Sequence, residues 1–132
     1  MGAKVRVTGE HIADGLRRLG LRNGHDVGVH SSLSAFGYVE GGADTVIDAL
    51  LQVVGPDGTV VMPVYSNNRK QVEKTPEDIS LGVTYKYKVL PYDPIHDSCW
   101  TGRIPETFRR RKGTVRGPHP THSLAAFGPR AE

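Results

Sequence analysis

Residues 26–65, DVGVHSSLSAFGYVEGGADTVIDALLQVVGPDGTVVMPVY, constrain the fold of this chain more than any other stretch. The run DVGVHSS places Val27 and Val29 on one face, as a strand does. Gly41 and Gly42 lead into ADTVIDALLQVVG, where Val46, Ile47, Leu50, Leu51 and Val54 form an apolar stripe at helical spacing. Asp44 near its start suits the positive end of a helix. GPDG at 55–58 reads as a turn. TVVMPVY at 59–65 is a near-continuous apolar run of the kind buried parallel strands show. Strand, helix, turn and strand make a βαβ unit and predict an α/β fold.

The flanks fit around that unit. TGEHIADGLRRLGL reads as a helix capped by Thr8, with Ile12, Leu16 and Leu19 in register and Gly20 as its stop. Residues 66–92 are polar with weak alternation in VTYKYKVL, and read as an excursion, an extended loop or a short strand, rather than a linker between domains. A second helix is expected over TGRIPETFRRRK, with Pro105 in its first turn, and LAAFG is a further apolar piece. At 132 residues the chain is expected to form a single domain over 1–132. No apolar run approaches the roughly 20 residues that cross a bilayer. The start lacks the apolar core of a signal peptide, and Gly2 is outside a myristoylation pattern because position 6 is Arg. The single cysteine, Cys99, allows no internal disulfide, so a cytoplasmic location is expected. Net charge is +3, with the basic residues concentrated in RRRK at 109–112 and at Arg103, Arg116 and Arg130. Few aromatics are interleaved with them, which argues against nucleic-acid binding. A solvated helix end and attraction to a polyanionic small molecule both remain open.

Three clusters could carry chemistry. HSSLS followed by the glycine pair could present hydroxyls and N–H groups to an anion, or could simply answer the demands of a tight turn. It has neither the spacing of a dinucleotide fingerprint nor the Lys of a P-loop. HPTHS at 119–123 places two histidines three apart, suited to acid–base work or to an ordinary loop; no further ligand pattern supports a metal. DPIHDSCW at 93–100 offers Asp93 and Asp97 to ammonium groups, or forms a turn. Cys99 has no assignable His partner and reads as an inert buried thiol.

Together, VHSSLS, GGA, DGTVVMP, GRIPETFR and HPTHS, in this order and spacing, resemble the antibiotic N-acetyltransferase family, the aminoglycoside 3-N-acetyltransferases. The likeness covers most of residues 27–129. It implies a three-layer α/β/α sandwich, here truncated relative to the full family domain and resembling its N-terminal half. It also implies acetyl transfer from acetyl-coenzyme A to the 3-amino group of a 2-deoxystreptamine aminoglycoside, in antibiotic resistance. The coenzyme site carries over onto His30, Ser31, Ser32 and Leu33 and onto Gly41, Gly42 and Ala43. The aminoglycoside side carries over onto Asp93 and Asp97 and the loop holding His119, His122 and Ser123. No metal is implied, and neither nucleic acid nor membrane is expected as a partner. Gly117 stands where the family has Ser in its RSxHPxHS stretch.

The family base, a His paired with a carboxylate in a later LHxAE-type segment, has no counterpart up to Glu132, so no catalytic residue is assigned. The chain is therefore expected to be a fragment, half of a two-chain enzyme or a degenerate remnant. The alternative function is a non-catalytic coenzyme A-binding module. Unpaired sheet edges would then favour a homo-oligomer.

Overall fold

The computed structural model describes residues 4–132; Gly2 lies outside them. Helix formation at the start follows the sequence closely. α1 (Gly9–Arg18) opens on a capping box in which Thr8 Oγ1 accepts from His11 N–H and His11 Nδ1 accepts from Thr8 N–H. Histidine thus takes the reaching-back role usually filled by Glu or Gln. The helix buries Ile12 and Ala13.

The βαβ unit forms as expected. β2 (Asp26–Gly28), α2 (Ala43–Val54) and β4 (Thr59–Pro63) place β2 and β4 side by side and parallel, Val27 opposite Val60. Gly58 closes the turn where a Cβ would stand 2.4 Å from Val54 Cβ and 2.7 Å from the His25 carbonyl oxygen, so only glycine fits. β4 lies inside a four-stranded mixed sheet of order β2–β4–β8–β7, because β8 (Leu124–Phe127) pairs with it antiparallel and β7 (Val115–Arg116) pairs with β8. Val60, Met62 and Val64, alternate residues on one face of β4 and its extension, join one core with Ile47, Val54, Ile104, Phe108 and Ala125. α1 packs on α2, and α2 packs on α4 (Arg103–Arg109) and on β4. Burying Phe108 completely contributes about 2–3 kcal/mol.

Two smaller units complete the chain. β1 (Arg6–Val7) pairs parallel with β3 (Tyr38–Val39). The excursion forms an antiparallel pair, β5 (Arg69–Gln71) and β6 (Tyr87–Val89), around the short helix α3 (Pro76–Ser80).

Two expectations need refinement. The β2 strand ends at Gly28, although Val29 N–H still donates to the Val61 carbonyl at 2.8 Å. RRRK closes α4 with Arg110 and Lys112 exposed, as a solvated helix end, but it is not a free basic patch. Arg109 is buried with its fork on Glu106, Arg110 shares that carboxylate, and Arg111 reaches Asp44 and Asp48 on α2.

Candidate functional site

The carboxyl ends of the parallel strands β2 and β4 collect four loop segments, the edge where open α/β sheets bind ligands. His30–Ser34 follow β2, and Val64–Asn67 follow β4. β8 runs the other way, so the residues preceding it lie at the same edge: Val64 N–H donates to the Ser123 carbonyl, and Ser66 N–H to that of Thr121. Trp100 N–H donates to the Tyr65 carbonyl, and Thr101 Oγ1 to that of Pro63.

Two clefts open between these segments. The first, about 590 Å³, has Ser31–Ser34 on one wall and Trp100–Arg103 on the other. The second, about 270 Å³, lies between Ser66, Asn67 and Arg69 on one side and Trp100, Thr121 and His122 on the other. Trp100 is their shared wall. An apolar groove of about 630 Å³ lies on the other side of Ser31 and Ser32, between α1, α2 and Phe36, with His30 at its rim.

Ser31 lines the first cleft, but its hydroxyl oxygen is out of contact with solvent and has no hydrogen-bond partner. A buried polar atom left alone costs about 1–3 kcal/mol, and Thr114 Oγ1, which lines neither cleft, is left the same way. Ser32 and Ser34 hydroxyls lie 3.1 Å apart, and Leu33 begins a single 3-10 turn, Leu33–Phe36. The glycine pair lines neither cleft. Gly41 and Gly42 have φ of 82° and 67°, and Gly42 N–H donates to the Val39 carbonyl at 3.0 Å. The turn therefore needs glycine on conformational grounds alone. Ala43 is buried in the core, and the Asp44 carboxylate sits in the first turn of α2.

In the HPTHS loop, His122 packs its ring 4.9 Å from Tyr65 and pairs Nδ1 with Thr121 Oγ1 at 2.8 Å. His119 Nδ1 accepts from the N–H groups of Thr121 and His122, so it folds the loop. Ser123 is buried, donating to the Val64 carbonyl and accepting from Arg116 Nε. Its hydroxyl is fully occupied by the framework. Arg116 also donates to the carbonyls of Pro94, Asp97 and Val64 and stacks on Tyr92. Among the described residues, no group of three or more His, Cys, Asp or Glu is placed to hold a metal ion.

Asp93 and Asp97 line neither cleft. The bond from His96, joined by the Ile95 N–H, holds the Asp93 carboxyl below the usual range. The Asp93 N–H and the Asn68 amide do the same for Asp97. Both carboxylates knit their own loop together. Burial pushes the Cys99 thiol up, which disfavours a thiolate nucleophile.

Sequence reasoning passed over Trp100, Asn67 and Arg69 as site residues. The lone tryptophan directly before TGRIPE was the available signal. The place of Asn67 and Arg69 depends on the chain path after β4, which no local pattern encodes.

The sequence model of the family described as aminoglycoside 3-N-acetyltransferase matches residues 29–132. Aminoglycoside N(3)-acetyltransferase IX of Micromonospora chalcea is 38% identical over 127 residues, 95% of this chain and 45% of that protein. AAC-IIIb, solved as a binary complex with CoASH, superposes with a TM-score of 0.78 at 32% identity, over 97% of this chain and 48% of that one. AAC-VIa bound to sisomicin gives 0.78 at 30% identity, over 96% and 48%. The chain thus spans about half the length of the relatives it matches.

Proposed function

The chain belongs to the aminoglycoside 3-N-acetyltransferase family, and from that membership we propose that it takes part in moving the acetyl group of acetyl-coenzyme A onto the 3-amino group of a 2-deoxystreptamine aminoglycoside. The observation that carries this reading is the first cleft, where Ser31–Ser34 meet Trp100–Arg103 at the ligand-binding edge of the sheet. Support comes from AAC-IIIb, whose solved complex holds CoASH, and from AAC-VIa, which holds sisomicin.

In this reading Ser31, Ser32 and Leu33 take the pantetheine arm in the first cleft, and His30 precedes them from the adjoining apolar groove. Gly41, Gly42 and Ala43 line neither cleft, so their part is to open α2, whose first N–H groups would meet phosphates that extend beyond the first cleft. The acceptor amine approaches along the second cleft, past Trp100 and His122 and the His119 loop, while Asp93 and Asp97 act from outside it, Asp97 through its bond from Asn68 beside the cleft residue Asn67. Ser123 supports that loop from below. The amine must first lose a proton; its lone pair then forms the C–N bond as the thioester C–S bond breaks, and the sulfur leaves as the thiol once protonated. A positioned base is worth about 10²–10⁴-fold. The His–carboxylate pair among the described residues, His96–Asp93 at 2.6 Å, is exposed and lines neither cleft.

That last observation favours a second reading, a coenzyme A-binding module without turnover of its own. Titration calorimetry with coenzyme A, followed by an acetyl-transfer assay with thiol detection, tests both. Binding with turnover supports transfer, binding without turnover supports the module, and absence of binding rejects both. We also propose self-association through the unpaired sheet edge at β2. No helix among the described residues is long and apolar enough to cross a membrane.

A further inference from the structure

Six arginines fall between 103 and 130, and the structure gives five of them partners. Arg109 and Arg110 hold Glu106, Arg111 holds Asp44 and Asp48, Arg116 donates to three carbonyls and a serine, and Arg130 grips Asp26. Among the described residues the Arg103 guanidinium alone of these has neither an ion pair nor a hydrogen-bond acceptor. It also stands in the first cleft, across from Ser31 and Ser32, and no carboxylate lines that cleft.

Its place in the chain makes the isolation more telling. Arg103 is the first residue of α4, where a cation meets the positive end of the helix and is disfavoured. Residues that break a local rule without a structural return concentrate at functional sites. The start of α2 could not serve the anion alone, because Asp44 and Asp48 stand beside it with Arg111 between them.

We propose that Arg103 is the phosphate-recognising cation of this chain, gripping the phosphate-bearing end of a coenzyme A-type acyl carrier whose arm lies along Ser31 and Ser32. The proposal rests on the coenzyme reading of the cleft and adds to it a residue and a charge. A guanidinium suits the task because its planar fork matches phosphate oxygens and never loses its charge. The phosphate could be the pyrophosphate or the 3′-phosphate of the carrier, and the two are separable by ligand choice.

The test is calorimetric titration of the wild-type chain, Arg103→Gln and Arg103→Lys with coenzyme A, 3′-dephospho-coenzyme A and pantetheine. Arg103→Gln is expected to weaken coenzyme A by about tenfold or more at low salt, to flatten its salt dependence and to leave pantetheine unchanged. Arg103→Lys should recover part of the loss. A defect that persists with the dephospho form assigns the pyrophosphate; one that disappears assigns the 3′-phosphate. Because the side chain has no partner to lose, the thermal midpoint of Arg103→Gln should equal or exceed wild type. Equal coenzyme A affinity in wild type and Arg103→Gln would overturn the proposal and leave the coenzyme reading standing. An equal loss for pantetheine would overturn it too, since the residue would then act on cleft shape. A wild-type chain that binds no coenzyme A would instead reject the coenzyme reading, and this proposal with it.

Discussion

Ser31 and Ser123 carry the same hydroxyl in opposite circumstances. Ser123 Oγ holds Arg116 and the Val64 carbonyl together in a buried setting, whereas Ser31 Oγ touches no polar partner. Ser123→Ala should therefore cost about 1–3 kcal/mol by leaving buried groups unsatisfied, read as a lower denaturant midpoint. Ser31→Ala should leave the midpoint unchanged or slightly raised, yet weaken coenzyme A in the same calorimeter; a destabilised Ser31→Ala would contradict the assignment. Glu106 makes a second residue-level case. Burial pushes its carboxyl up, but the Arg109 fork and the Cys99 N–H outweigh it and hold the pKa at about 2, against an ordinary 4.5. The folded value lies below the unfolded one, so this stabilisation is complete above pH 4.5 and fades as pH falls toward 2. Stability measured from pH 6 down to 2 should fall less steeply below 4.5 in Glu106→Gln than in wild type, from a lower starting level. Asp78, also held at about 2 by Lys86 and Thr75, leaves a residual slope in the variant.

At the scale of elements, legibility followed burial. α1 and α2 were readable because their apolar stripes and their caps, Thr8 before α1 and Gly55 after α2, are local signals. β4 was readable as a strand, but its antiparallel partner β8 lies some sixty residues away, and only the folded chain reveals a mixed sheet. The pairing of Arg111 with Asp44 and Asp48 was hidden for the same reason. In the candidate site, the HSSLS segment and His122 were legible as polar interruptions beside apolar runs, whereas the wall at Trp100 and the lone Arg103 required the chain path. The weak alternation in VTYKYKVL marks β6 as a short strand, but its pairing with β5 was hidden because the six strand residues are all exposed and no core face imposes alternation. Its register sets Lys70 directly against Lys88, a like-charge pair that weakens a ladder. Lys88→Glu should slow amide exchange across β5 and β6 by a few-fold, equivalent to roughly 0.2–1 kcal/mol; faster exchange would mean that another feature fixes the register.

For the whole molecule, the sheet ends at β2 on one side and β7 on the other. Edge strands offer unpaired backbone groups, and proteins blunt them by shortness and charge. β7 has two residues and leads into the tethered Arg116, so it is well blunted. β2 carries Asp26, tied to Arg130, but the chain beyond it opens onto the apolar groove between α1 and α2, near which Leu19 is 88% and Phe36 38% exposed. An edge next to apolar surface gives a second copy both a backbone ladder and something to bury. Self-association should therefore proceed through the β2 side and be insensitive to salt, since burial rather than charge drives it. Light scattering at rising concentration should approach twice the 14.4 kDa of one chain, and Leu19→Lys with Phe36→Lys should return it to a monomer. Because the groove shares Ser31 and Ser32 with the first cleft, a dimer formed there should also compete with coenzyme A. Affinity should fall as protein concentration rises in the wild type and hold constant in the lysine variant. A monomer at every concentration, or an affinity indifferent to it in both proteins, would remove β2 as an interface and leave the cleft to act within one chain.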